Sequence, residues 1–260
     1  MQQQAKRIDE QIVLVTGGAR GLGVEIARSF AREGALVVVN YRRSEAAATD
    51  LVRELGEDRA VALHADVTDD DDEVRALVRA ANSHFGAPIT TVVNNALADF
   101  RFDGDARPRP DTITWDRFDA QFQGAVKAIV ATTQAVLPGM REAGFGRIVN
   151  IGTNLFQHPV VPYHDYTAAK AAALSLTRTL AADLGVDGIT VNMVSGGLLR
   201  TTDASAATPE EVFDLIASTT PLRRAVTPQE LADAVLFFAS PWARAVTGQN
   251  LIVDGGLVMG

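Results

Sequence analysis

Tyr166 and Lys170 are the side chains of this sequence whose types and spacing most directly suggest chemistry. They lie four residues apart in an alanine-rich stretch that favours an α-helix, so both would project from one face, one turn apart. Ionising a phenol of pKa about 10 at pH 7 costs roughly 4 kcal/mol. An ammonium about 4.5 Å away contributes on the order of 4 kcal/mol at an effective dielectric constant near 20. We therefore expect Tyr166 to exchange a proton with a carbonyl or alcohol oxygen near neutral pH, although the pair alone is also compatible with two solvated surface residues.

A glycine-rich turn at residues 17–23 suggests a second function. It follows an apolar, β-branched run that ends at Thr16, and apolar residues at helical spacing begin at Val24. Strand, glycine turn and helix in that order form the context in which such glycines bind a dinucleotide. Glycines let the backbone approach a diphosphate closely, and the helix N-terminus attracts negative charge. The sequence therefore predicts a dinucleotide site at this turn.

The residues after the second predicted strand favour NADP over NAD. Folds that bind NAD usually place an acidic residue about 20 positions after the glycines, where it holds the ribose hydroxyls, whereas a nearby arginine accommodates the 2′-phosphate of NADP. Here the strand is followed by Tyr41, Arg42 and Arg43, with no acidic residue until Glu45, and Arg20 adds a cation in the glycine turn. The alternative that Arg42 and Arg43 only begin a solvated helix stays open.

Short apolar runs alternate with amphipathic segments along the whole chain. This alternation predicts an α/β fold, a single-domain, Rossmann-type, doubly wound parallel sheet of about seven strands with helices on both faces, over residues 1–260. The predicted strands are residues 12–16, 35–40, 60–64, 90–93, 146–151, 188–194 and 251–253. The helix that begins near Trp115 is expected to reach Val136 with a break around Gly124, and a later helix is expected to begin with Thr227 as its cap.

Composition excludes several classes of partner. The chain has 24 basic and 32 acidic residues and a net charge of −8, which argues against binding to nucleic acid or to an anionic membrane surface. It has no cysteine, and its four histidines lack zinc spacing, so we expect no metal site. The polar N-terminus lacks the apolar core of a signal peptide, and no apolar run has the length of a membrane span. These features predict a cytoplasmic protein.

With these motifs in place, the chain resembles the short-chain dehydrogenase/reductase family over essentially its whole length. The matching motifs are Thr16-Gly17-x-x-x-Gly21-x-Gly23, Asp66-Val67, Asn94-Asn95-Ala96, Tyr166-x-x-x-Lys170 and Val253-Asp254-Gly255-Gly256. The resemblance implies hydride transfer between a nicotinamide cofactor and a ketone or secondary alcohol.

Roles for individual residues follow from the same resemblance. It implies Thr153, Tyr166 and Lys170 as the catalytic residues, with Thr153 at the position of the family's serine. It further implies a cofactor-binding set composed of Gly17, Arg20, Gly21, Leu22, Gly23, Tyr41, Arg42, Arg43, Asp66, Val67, Asn94, Ala96, Tyr166, Lys170, Gly197, Leu199 and Thr201.

One departure from the family pattern affects catalysis. The family's catalytic asparagine has no counterpart, because no asparagine occurs between Asn95 and Asn150. Gln121, Gln123 or a water molecule could take its place, or the proton relay through Lys170 could be slower.

The resemblance is strongest to NADP-dependent 3-oxoacyl-acyl-carrier-protein reductases of fatty acid biosynthesis. It implies a small-molecule or carrier-bound carbonyl substrate and a homotetramer. Arg101, Arg107 and Arg109 could then meet an acidic carrier, unless they only solvate a loop. A sugar or polyol dehydrogenase of the same family is the nearest alternative, and a catalytically weak, cofactor-binding regulatory module is an alternative of another class.

Overall fold

Seven strands of the described chain form one parallel sheet. The structure is a computed structural model that describes residues 5–68, 71–97, 100–200 and 202–259. The strands are β1 (Ile12–Val15), β2 (Leu36–Tyr41), β3 (Ala60–His64), β4 (Thr91–Asn94), β5 (Gly146–Thr153), β6 (Ile189–Gly196) and β7 (Asn250–Val253). Their order across the sheet is β3-β2-β1-β4-β5-β6-β7, and every neighbouring pair is parallel. The predicted fold class is confirmed.

Helices cover both faces of this sheet. They are α1 (Leu22–Arg32), α2 (Glu45–Leu55), α3 (Asp71–Phe85), α4 (Trp115–Phe122), α5 (Ala128–Ala143), α6 (His164–Leu184), α7 (Glu210–Thr219) and α8 (Pro228–Ala239). Helix α8 begins with the expected cap, since Thr227 Oγ1 accepts a hydrogen bond from the Glu230 amide. No helix of the described ranges has the length and apolarity needed to cross a membrane.

The strands are apolar because both of their faces are covered. Val13 and Val15 of β1 pack with α1 and α8 in one cluster, while Leu14, between them, packs with α3, α5 and α6 in another. Successive strand residues point to opposite faces, so a strand buried on both sides needs a continuous apolar run instead of an alternating one. All four residues of β1 are buried.

The order of the strands determines where the ligand crevice lies. From β1 the chain moves outward through β2 and β3 and then returns to the other side of β1 with β4. Open parallel sheets bind ligands at the carboxyl ends of the strands where the order reverses. The glycine turn after β1 and the residues after β4 lie at this point, as the motifs require.

Three elements extend at least two residues beyond the sequence-based expectation. Strand β5 extends to Thr153 and β6 extends to Gly196, because the two pair in register over eight residues. Helix α5 continues through Pro138 to Ala143. Burial of Val136 and Met140 on either side of the proline stabilises that turn despite the missing N–H.

Candidate active site

The glycine turn is packed too tightly to accept side chains at two positions. A Cβ atom at Gly23 would lie 2.3 Å from the Gly17 carbonyl oxygen, and one at Gly17 would lie 3.0 Å from Ala96 Cα. Gly17 also has φ +59°, a conformation that favours glycine. The first amides of α1 therefore face a turn without side chains at these positions, which is the arrangement that a dinucleotide diphosphate requires.

Hydrogen bonds join this turn to the end of β4. Thr16 Oγ1 accepts from the amides of Asn95 and Ala96, both at 3.0 Å. The Asn95 side-chain amide donates to the carbonyl oxygens of Thr16 and Gly17 at 3.0 and 3.2 Å. The turn and the Asn94-Asn95-Ala96 motif thus form one rigid edge of the crevice.

The end of β2 carries the cations expected to select the cofactor. Arg42 contacts Asp66 at 3.4 Å, and Arg43 is exposed. Across the turn, the exposed Arg20 lies 3.8 Å from Asp203. Tyr41 is half-buried at the same strand end. Tyr41, Arg42 and Arg43 therefore lie at the end of β2, where folds of this kind contact an adenosine ribose, whereas Arg20 faces the segment after β6.

Asp66 has more partners than the sequence suggested. One carboxylate oxygen accepts from both the amide and the hydroxyl of Thr68, at 2.9 and 2.6 Å. Its other oxygen is the one that meets Arg42. The Thr68 and Arg42 contacts lower the pKa of Asp66 against an opposing effect of burial. Asp66 therefore organises its own loop, and the neighbouring Val67 is buried.

A buried polar chain joins the end of β4 and the middle of β5 to helices α5 and α6. The Thr132 hydroxyl donates to Asn94 Oδ1 at 2.7 Å, Asn94 Nδ2 donates to Asn150 Oδ1 at 2.8 Å, and Asn150 Nδ2 donates to Thr177 Oγ1 at 2.9 Å. All four side chains are buried. Asn94 thus acts first as a structural link between α5, the sheet and α6.

Thr153, Tyr166 and Lys170 come together at the carboxyl end of β5. Lys170 Nζ lies 5.9 Å from the centre of the Tyr166 ring and donates to the Ile151 carbonyl at 2.7 Å. The Thr153 side chain lies close enough to the phenol to lower its pKa. The three residues are only 4%, 5% and 6% exposed, respectively. This cluster unites the hydroxyl donor, the acid–base group and the cation that the sequence predicted.

Burial sets the acidities of this cluster. It raises the pKa of Tyr166 to about 12 against an opposing hydrogen bond from Thr153, and it lowers the pKa of Lys170 to about 8. The sequence-based expectation of a phenol that ionises readily near neutral pH is therefore not met in the free protein. Removing both groups from water disfavours the charged form of each, an effect that spacing along a helix cannot reveal.

A π-helical turn occupies the predicted break near Gly124. It spans Gln123–Lys127, and its wider ring interrupts the regular helical hydrogen bonds. Beside it lies a cavity of about 10 Å³, lined by Thr16, Asn94, Ala96, Gly124, Ala125, Ala128, Ile129, Ile151 and Lys170. That volume is close to the minimum that holds one water molecule. Neither Gln121 nor Gln123 is among the lining residues, and Gln123 donates instead to Asp119.

The segment after β6 forms the remaining side of the crevice. A Cβ atom at Gly197 would lie 2.9 Å from Asp254 Cβ, so this position needs glycine. Leu199 forms an isolated bridge with Val226. Thr201, the last residue of the predicted cofactor set, lies outside the described residues.

Sequence reasoning missed an aromatic cover over Tyr166, the predicted catalytic tyrosine. The Phe100 ring stacks on the Tyr166 ring with centroids 4.4 Å apart, and Phe102 meets the same ring edge-on at 5.6 Å. Tyr163 contacts both phenylalanines. The two phenylalanines flank Arg101 in a long polar loop, and this alternation was the available signal. Of the loop's arginines, Arg101 and Arg109 are exposed, and Arg107 donates to the Pro162 carbonyl at 3.3 Å.

Comparisons with known proteins give matches over nearly the whole chain. A family model described as enoyl-(acyl carrier protein) reductase matches residues 17–258. The chain is 34% identical over 252 residues to a 7alpha-hydroxysteroid dehydrogenase of Escherichia coli (strain K12), covering 96% of this chain and 95% of the relative.

Two relatives bear the names of reductases. A putative ketoacyl reductase of Streptomyces coelicolor is 35% identical over 264 residues, covering 96% of this chain and 97% of the relative. An acetoacetyl-CoA reductase of Allochromatium vinosum is 35% identical over 254 residues, covering 96% and 99%. With the family model spanning nearly the whole chain, these matches show that the protein belongs to the short-chain dehydrogenase/reductase family, and that it is an oxidoreductase acting on CH–OH groups with a nicotinamide cofactor.

Proposed function

We propose that this protein reduces a ketone to a secondary alcohol with NADPH, and that 3-oxoacyl thioesters are among its substrates. The observation that carries the proposal is the convergence of Thr153, Tyr166 and Lys170 at the strand ends beside the glycine turn. The ketoacyl and acetoacetyl-CoA reductases among the relatives support this substrate class. None of the relatives named above is a sugar or polyol dehydrogenase.

The chain's own residues would handle the proton. Bound NADPH supplies the hydride that reduces the carbonyl carbon. Tyr166 donates its proton to the carbonyl oxygen, and the Thr153 hydroxyl donates a hydrogen bond that orients that oxygen. Lys170 stabilises the resulting phenolate and holds the nicotinamide ribose. Because Lys170 also borders the small cavity at the π-turn, a water molecule there is the substitute that we propose for the absent asparagine.

The catalytic assignment is tested by Tyr166→Phe. This variant should lose nearly all reduction of an acetoacetyl thioester, because the phenol proton is gone, while its affinity for NADPH stays near that of the wild type. Steady-state kinetics and calorimetric titration measure the two properties. Undiminished turnover would refute the assignment, and faster oxidation of glucose than reduction of the thioester would favour the polyol alternative.

The preference for NADPH rests on Arg42 at the end of β2. An arginine–phosphate contact is a strong, charge-assisted hydrogen bond, so Arg42→Met should weaken NADPH binding by roughly tenfold to a hundredfold. The affinity for NADH, which lacks the 2′-phosphate, should change little. Equal losses for both cofactors would show that Arg42 only organises the loop through Asp66.

We also propose the homotetramer that the family resemblance implies. The exposure of two tryptophans supports association, since Trp115 and Trp242 are 74% and 81% exposed and aromatic residues are enriched in the cores of protein–protein interfaces. Sedimentation equilibrium of the full chain tests the proposal, and a monomer at micromolar concentration would contradict it.

A further inference from the structure

The catalytic tyrosine is closed off by the protein's own side chains. Phe100 lies nearly parallel to the Tyr166 ring, with an interplanar angle of 15°. Phe102 and Tyr163 complete an apolar cluster around the same ring, together with Leu155. Since Thr153 and Tyr166 are at most 5% exposed, a ketone cannot reach their hydroxyls until this cover moves.

The aromatic cover formed by Phe100, Phe102 and Tyr163 is hydrogen-bonded to the segment after β6. The Phe102 amide donates to the Ala204 carbonyl at 3.0 Å, and the Thr208 hydroxyl donates to the Phe102 carbonyl at 3.4 Å. The segment after β6 therefore anchors the loop that carries Phe100 and Phe102 at the backbone of Phe102. Displacing the Phe100 ring removes a stacked aromatic contact and uncovers apolar surface on Tyr166, and both effects oppose opening.

A substrate offsets the loss of the contact between Phe100 and Tyr166 only if it makes similar contacts with the Tyr166 ring. A flat apolar ring beside the reacting carbonyl would restore the stacked contact, whereas a methyl group or a puckered ring would restore less of it. We propose that Phe100 is an aromatic plug that substrate displaces, and that the preferred substrate carries a planar ring next to its carbonyl. This inference rests on the proposed function of the site as a ketone reductase.

Three thioesters with different groups on the ketone test the substrate preference. The N-acetylcysteamine thioesters of 3-oxo-3-phenylpropanoic, 3-oxo-3-cyclohexylpropanoic and 3-oxobutanoic acid offer a flat ring, a puckered ring of similar size and a methyl group. We expect kcat/KM to be about threefold to tenfold higher for the phenyl than for the cyclohexyl compound, the range of a stacked aromatic contact. Equal values for these two compounds would overturn the preference for a planar ring.

Two variants test the plug itself. Phe100→Ala and Phe100→Leu should raise kcat/KM for all three ketones by roughly threefold to tenfold, because the site no longer has a stacked ring to displace. Impaired folding cannot produce such a gain. Asp105→Ala, an exposed change in the same loop, should leave kcat/KM unchanged.

The outcomes separate this inference from the function on which it rests. Unchanged or lower kcat/KM in the leucine variant, with NADPH affinity retained, would overturn the plug. Reduction of all three ketones at equal rates by the wild type would overturn the substrate preference and leave the reductase intact. Failure of the wild type to reduce any of them would overturn the proposed function.

Discussion

Replacing Lys170 with methionine should abolish turnover and yet stabilise the protein at neutral pH. The side chain is buried, and burial lowers the pKa of Lys170 from 10.5 to about 8. Below pH 8 the ammonium is charged in both the folded and the unfolded state, so the full cost of burying it applies. That cost is about 3 kcal/mol, from a shift of roughly 2.5 pH units.

The net gain is smaller than this cost. Methionine also removes the hydrogen bond from Lys170 Nζ to the Ile151 carbonyl, worth about 1 kcal/mol. We therefore expect the Lys170→Met variant to be about 2 kcal/mol more stable than the wild type at pH 7. A catalytic group held at the expense of stability is a common feature of active sites.

The pH dependence of the stability difference between Lys170→Met and the wild type shows whether the buried charge of Lys170 causes it. A folded-state pKa below the unfolded value contributes stability that is present above pH 10.5 and is lost as pH falls through 8. The advantage of the variant should thus shrink by about 2 kcal/mol between pH 7 and pH 9.5. The raised pKa of Tyr166 acts in the opposite direction above pH 10, but it is common to both proteins and cancels in the difference to a first approximation.

Urea unfolding followed by circular dichroism measures this difference. Both proteins are compared at the same concentration, because association makes apparent stability concentration-dependent. Arg178→Met, an exposed change on the same helix, should alter the free energy of unfolding by less than about 0.5 kcal/mol. A Lys170→Met protein that is less stable at pH 7, or whose advantage does not change with pH, would refute the reasoning.

Three further substitutions test the frame around the site. Gly23→Ala should lower NADPH affinity at least tenfold and destabilise the fold by about 2 kcal/mol, measured by calorimetry and thermal melting, because its Cβ would lie 2.3 Å from a carbonyl oxygen of the glycine turn. Asn150→Ala removes the acceptor of Asn94 Nδ2 and one of the two hydrogen bonds of Thr177 Oγ1 and should lower the free energy of unfolding in urea by about 2 to 4 kcal/mol. Thr227→Ala removes the cap of α8 and should cost about 1 kcal/mol in the same assay.

Each of these predictions has a result that would contradict it. For Gly23 the matched control is Gly185→Ala, where φ is −56° and nothing lies within 4 Å of the new Cβ. This control should stabilise the protein by about 0.5 kcal/mol. Similar effects at the two glycines would show that crowding is not the cause. A loss below 1 kcal/mol for Asn150→Ala would mean that water replaces its side chain, and an unchanged Thr227→Ala protein would mean that packing alone holds the start of α8.

Much of this fold could be predicted from local patterns in the sequence. Continuous apolar runs predicted the strands because strands covered on both faces need them. The glycine turn and the Tyr166–Lys170 spacing predicted which residues face the crevice, since both depend on neighbours within a few positions along the chain. The cap at Thr227 and the break near Gly124 were predicted for the same reason.

Contacts between distant segments decided the rest. Pairing with β6 extended β5 to Thr153, burial of flanking residues carried α5 past Pro138, and the stacking of Phe100 on Tyr166 joined residues 66 positions apart. Burial also raised the pKa of the Tyr166 phenol, which the sequence had predicted to be lowered. The amino-acid sequence alone determined which chemical groups the site contains. The exposure and acidity of these groups depend on how much water the folded chain excludes from them, and only the tertiary structure determines that exclusion.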